Sequence, residues 1–97
     1  MARYQITCIT KRGSHYNPHE RISHIGNQAN NWRLTEDSAI RRIESRQDSF
    51  FTLVNGRDAE IVVASHEGRK YLKTSADGYA PNNLLALPEC AGCPVVD

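Results

Sequence analysis

Residues 50–74, FFTLVNGRDAEIVVASHEGRKYLKT, constrain the fold more than any other part of the chain, because they carry two hairpin signals in close succession. A two-residue type I′ turn needs positive φ at both central positions, which Asn and Gly tolerate best, so Asn55-Gly56 between apolar runs reads as a tight turn. Glu67-Gly68 is a weaker signal of the same kind. Together they predict an antiparallel meander in which residues 50–55 pair with 57–65, and those with 69–74. Alternation puts Ile61 and Val63 on one face of the middle strand and Glu60, Val62 and Ala64 on the other.

Upstream, residues 3–11 (RYQITCITK) alternate as one half-buried strand, with Tyr4, Ile6, Cys8 and Thr10 opposite Gln5, Thr7, Ile9 and Lys11. Gly13, Ser14, Asn17 and Pro18 mark a loop that carries His15 and His19. Residues 20–26 can return as the second strand of a hairpin, and the polar stretch 26–31 should turn the chain. Thr35 reads as a helix N-cap, with Glu36 and Asp37 complementing the positive dipole end and Leu34 placed to staple onto Ala39. A helix from Glu36 to about Arg46 follows, its apolar stripe limited to Ala39, Ile40 and Ile43. After Thr74 the periodicity ends, and Leu84, Leu85 and Leu87 before Pro88 form a short anchor expected to pack across a sheet edge or a neighbouring chain. The expected architecture is α+β, a small antiparallel sheet of about five strands in the order β-β-α-β-β-β with one helix packed on it. Residues 1–89 form the domain and 90–97 a C-terminal tail.

Four blocks carry a resemblance: ITCITK (6–11), HERISHIG (19–26), LTEDSAIRRIE (34–44) and HEGRKYLKTSADGYAPNNLLALPEC (66–90). In this order the chain resembles a family of small prokaryotic proteins known as a domain of unknown function. The resemblance implies a free-standing single-domain bacterial or archaeal protein and brings no activity, substrate or catalytic residues with it. The segment AGCPVVD lies outside it.

Ninety-seven residues leave no room for a second core. Twelve Lys and Arg against eleven Asp and Glu give a net charge of +1, too little for the sequence-independent phosphate binding of strongly basic domains. No run approaches the roughly 18 apolar residues of a membrane helix, and the N-terminus lacks the apolar centre of a secretory signal, so the expected setting is cytoplasmic, with no membrane partner. Three cysteines close no disulfide framework, and the thiols read as reduced or metal-bound.

Cys90-Ala91-Gly92-Cys93 is the motif with chemistry attached. Two thiolates at this spacing can hold one edge of a tetrahedral zinc site or form a redox pair. The further zinc ligands would be His15 and His19, or Cys8 with one histidine. The default reading is plainer, two exposed or weakly packed cysteines in a frayed tail. No catalytic residue is assigned: His19, Glu20 and His24 read as polar loop and strand residues, and His66, Glu67 and Arg69 at a turn point in different directions. Trp32, Tyr4, Tyr71 and Tyr79 are candidates for a stacking surface. Tyr71 among Arg69, Lys70 and Lys73, with Arg42 and Arg46 on the helix, forms a basic and aromatic strip suited to single-stranded nucleic acid. The plainer reading is a strand with its aromatic in the core, and arginines that complement the helix dipole. The function expected is therefore a non-catalytic binding or regulatory module acting on a protein or nucleic acid through its sheet and hairpin surface, with homodimer formation left open. The alternative is a small zinc-dependent or thiol-redox protein using the C-terminal CxxC and the histidine loop.

Overall fold

The computed structural model describes residues 2–13, 16–17, 20–54, 56–76 and 82–96. Over them the chain forms β1 (Ala2–Gln5), β2 (Cys8–Lys11), β3 (Ile22–Asn27), β4 (Trp32–Thr35), α1 (Glu36–Glu44), β5 (Asp48–Val54), β6 (Arg57–His66), β7 (Arg69–Thr74) and α2 (Asn82–Leu85). The α+β class read from the sequence holds, whereas the single antiparallel sheet is corrected to two sheets. One has the order β1-β5-β6-β7 and the other β2-β3-β4. β1 runs parallel to β5, with Tyr4 opposite Phe50, and the remaining pairs are antiparallel.

The expected first strand is broken in two because it changes sheets. Ile6 N–H donates to the Phe51 carbonyl at 2.8 Å, and the next residue, Thr7, donates to the Gly26 carbonyl at 2.9 Å. Past this step the alternation no longer separates a wet from a dry face, and Ile6, Cys8 and Ile9 are all buried. The turn expected over 26–31 is followed by a strand, β4, for which the sequence offers no signal; at four residues it is too short to show alternation, and its partner β3 sets it in place. Both hairpins form where expected. Val54 pairs with Arg57, and Gly56 has φ +76°. His66 pairs with Arg69, and Glu67 and Gly68 have φ of +51° and +81°, the two positive values of a type I′ turn. Asn55 lies outside the described residues.

Helix α1 starts as its sequence dictates, with the Ser38 N–H donating to Thr35 Oγ1 at 3.3 Å. It ends earlier than expected, because Arg46 adopts φ +61°. Arg46 N–H donates to the Ile43 carbonyl and Gln47 N–H to the Arg42 carbonyl, the paired bonds of a left-handed C-terminal cap. Ala39 and Ile40 are buried and Ile43 packs at the margin of a core built from Ile6, Ile9, Ile22, Ile25, Leu34, Phe50, Ile61, Leu72 and Leu84. Leu84 brings α2 onto this core, with Leu85 and Leu87 beside it. Among the described residues no helix is long and apolar enough to cross a membrane.

Candidate thiol site beneath the C-terminal strap

Cys8 opens β2 in a row of facing residues that runs Cys8, Gly26, Arg33 across the three-stranded sheet. Residues paired in this way project from the same face. A Cβ at Gly26 would run into the Trp32 carbonyl oxygen and the Arg33 Cβ, so glycine lets β3 and β4 close and leaves the row open between Cys8 and Arg33.

Residues 88–96 wrap this sheet. On the free side of β2, Ile9 N–H donates to the Pro88 carbonyl at 3.0 Å and Cys90 N–H donates to the Ile9 carbonyl at 2.9 Å. On the free side of β4, Arg33 N–H donates to the Pro94 carbonyl at 3.0 Å and Val96 N–H to the Arg33 carbonyl at 2.9 Å. Glu89 and Val95 thus lie as parallel bridges along Ile9 and Arg33, one on each edge. Between them Gln28 grips the crossing from both sides of one residue, Nε2 donating to the Ala91 carbonyl at 2.9 Å and Oε1 accepting from the Ala91 N–H at 2.7 Å. Gly92, at φ +69°, supplies the turn. One short segment satisfies backbone groups that two sheet edges would otherwise leave exposed.

This strap delivers the cysteines. Cys8 and Cys90 form a disulfide across 82 residues of sequence, and Cys93 is a free thiol, 2% exposed, whose Sγ lies 3.9 Å from the Ala91 carbonyl. All three sulfurs lie within 4.8 Å of one another. Two sequence readings are corrected here. The thiols are not all reduced or metal-bound, and Cys90 and Cys93 are not loose in a frayed tail, because β2 offers both a cysteine and an unpaired edge for the tail to join. The bond also joins Cys90 to Cys8 rather than to Cys93. His15 and His19 lie outside the described residues.

The other sequence candidates are dispersed. Tyr71 is 3% exposed and presents no open ring face. Arg69 donates to Glu36 at 2.9 Å, Lys70 to both Glu44 carboxylate oxygens at 2.9 and 2.8 Å, and Arg42 to Asp48 at 3.1 Å. Arg46 follows the C-cap Ser45 of α1 in the left-handed conformation, and Lys73 is half-buried on β7. Of the aromatic set, Tyr4 and Trp32 do meet, edge to face with centroids 5.8 Å apart, and Tyr4 stacks on Phe50 at 6.0 Å. They line a hollow of about 290 Å³ with Leu34, Arg42 and Val96, where β1 of one sheet approaches β4 of the other. Tyr79 lies outside the described residues. Glu36, read from the sequence only as a complement to the helix dipole, is buried, and its Oε2 has no hydrogen-bond partner among the described residues; burial pushes its carboxyl above the usual 4.5, against the opposing pull of Arg69 and Arg12.

The chain belongs to the family described as "Protein of unknown function (DUF3892)", whose model matches residues 5–88. Cys8 lies inside that match; Cys90 and Cys93 lie beyond it. No curated protein and no solved structure matches the chain.

Proposed function

We propose that this chain is a non-catalytic regulatory module whose state is set by thiol–disulfide exchange among Cys8, Cys90 and Cys93. The observation that carries this reading is the third sulfur, Cys93 Sγ, within 4.8 Å of both bonded sulfurs. Attack by the Cys93 thiolate on Cys90 Sγ forms a Cys90–Cys93 bond and breaks Cys8–Cys90. Cys8 leaves as a thiolate and takes up the proton that Cys93 gave away. One bond replaces another, so no outside oxidant or reductant is required.

The two pairings tie down different things. Cys8–Cys90 fastens the strap to β2, whereas Cys90–Cys93 would close a loop within the strap and leave β2 without a covalent link. By loop-closure entropy the long crosslink restricts the unfolded chain by about 4–5 kcal/mol and the short one by about 2. The output would be the hold of residues 94–96 on the edge of β4 and on the aromatic hollow that Val96 borders. A cytoplasmic setting belongs to the same proposal, since there a disulfide is a transient signal rather than a permanent staple. A nucleic-acid surface on Arg69, Lys70, Tyr71, Lys73, Arg42 and Arg46 draws less support, because three of its cations face carboxylates and its ring is buried.

The test is to equilibrate the protein in a glutathione redox buffer, alkylate it in acid and map the crosslinked peptides by mass spectrometry. Both Cys8–Cys90 and Cys90–Cys93 should be found, with Cys93→Ser leaving only the first. If Cys93 is alkylated throughout and Cys8–Cys90 is the sole bond at every redox ratio, exchange is refuted.

A further inference from the structure

We infer that, once its disulfide is opened, the same cluster is a three-thiolate site for a thiophilic divalent cation of the zinc class, held by Cys8, Cys90 and Cys93 alone among the described side chains. The inference rests on the preceding reading only in requiring that the Cys8–Cys90 bond can open. Zinc sits about 2.3 Å from a thiolate, which places ligating sulfurs roughly 3.8 Å apart. The three sulfurs already fall within 4.8 Å of one another, so rotation of the cysteine side chains suffices to complete the triangle. Two ligands come from one CxxC turn and the third from an ordered strand, which fixes the relative position of both halves of the site. Cys8 and Cys93 are 0% and 2% exposed, and such enclosure slows the loss of a bound ion. The donor set is soft throughout, which favours zinc-class ions over magnesium or calcium.

Three thiolates around a divalent cation carry a net charge of −1. Arg33 stands in the same cross-strand row as Cys8, with Gly26 between them, and its buried Nε has no hydrogen-bond partner among the described residues. Its Nη1 donates to Thr10 Oγ1 at 2.9 Å, two residues along β2 from Cys8, which puts positive charge on the same face of the sheet as Cys8. The fourth coordination position would go to water, as in zinc sites with three protein ligands.

The chemistry balances in two steps. Two equivalents of a low-molecular-weight thiol reduce Cys8–Cys90 to two thiols and are themselves oxidised to one disulfide. The cation then displaces three protons from the three thiols. Oxidation reverses both steps and expels the ion, so metal and disulfide are alternative occupants of one place, and either fastens the strap to β2.

The experiment is titration of the full chain with Zn²⁺ alone against a chromophoric chelator, repeated with Cd²⁺ to read thiolate-to-metal absorption in the ultraviolet. The reduced protein should take up one equivalent with release of about three protons, and the oxidised protein none. Cys93→Ser and Cys90→Ser, each reduced, should bind at least about 100-fold more weakly, the scale on which even an outer-shell partner of a metal site acts. Circular dichroism is recorded alongside. If the reduced chain has lost its fold, zinc must restore it; a reduced chain that neither binds nor refolds overturns the inference. Uptake unchanged by either substitution overturns it too, because the ion is then held elsewhere. The disulfide mapping described above is done without metal, so failure here and failure of the exchange are told apart.

Discussion

Glu36 is the first residue of α1, and its side chain has lost nearly all contact with water while Arg69 reaches only one of its two oxygens. A carboxyl whose folded pKa is raised contributes stability that is fully present below the unfolded value and is lost as pH rises through the folded one. The contribution of Glu36 to stability should therefore decline as pH rises above about 4.5. Glu36→Gln, which cannot ionise, should lack this decline, so its melting temperature relative to the parent chain should rise between acid and neutral pH. A parallel pair of pH profiles would count against a raised carboxyl. Arg46 offers a second test at this scale. It occupies the left-handed position that closes α1, where a side chain is strained and glycine is not. Arg46→Gly should stabilise the protein by about 0.5–1 kcal/mol in urea unfolding, and a loss of that size would assign the arginine a contact worth more than the strain it bears. Nothing in the sequence marked either residue in this role, because both depend on neighbours brought close only by folding.

Elements set by local chemistry were legible in advance, and elements set by distant partners were not. The Thr35 cap, the Ala39 and Ile40 stripe and both two-residue turns stand where their residues place them. Gly68→Val should accordingly cost about 1 kcal/mol or more, since a β-branched side chain resists the φ of +81° found there. Ile40→Ala should cost roughly 2–4 kcal/mol by emptying a buried site between α1 and the sheets; a neutral result in chemical denaturation would place the helix elsewhere. By contrast, the parallel pairing of β1 with β5 and the step at Ile6 and Thr7 leave no local trace. A strand that alternates correctly for one sheet alternates equally well for two, and only the long-range partners Phe51 and Gly26 decide where it divides.

At the scale of the whole molecule, one segment of nine residues, 88–96, closes both edges of the β2-β3-β4 sheet and brings the ends of the chain together at Cys8 and Cys90. The CxxC was legible as chemistry, and Cys8 as one option for a further zinc ligand, but the bond from Cys8 to Cys90 was not, because the two are 82 residues apart in sequence and only the wrapping of the strap makes them neighbours. The central claim is that the choice of disulfide governs the hold of this strap on β4. Hydrogen exchange at the Arg33 and Val96 amides reads that hold directly, since each donates across the junction. The two states can be fixed by substitution, Cys93→Ser retaining Cys8–Cys90 and Cys8→Ser leaving Cys90 to pair with Cys93. The account predicts slow exchange of both amides in the first variant and exchange at least about tenfold faster in the second, equivalent to a loosening of about 1.4 kcal/mol, with the β5-β6-β7 amides protected in both. Equal protection of Arg33 and Val96 in the two variants would contradict it, showing that the strap holds β4 whichever sulfurs are joined.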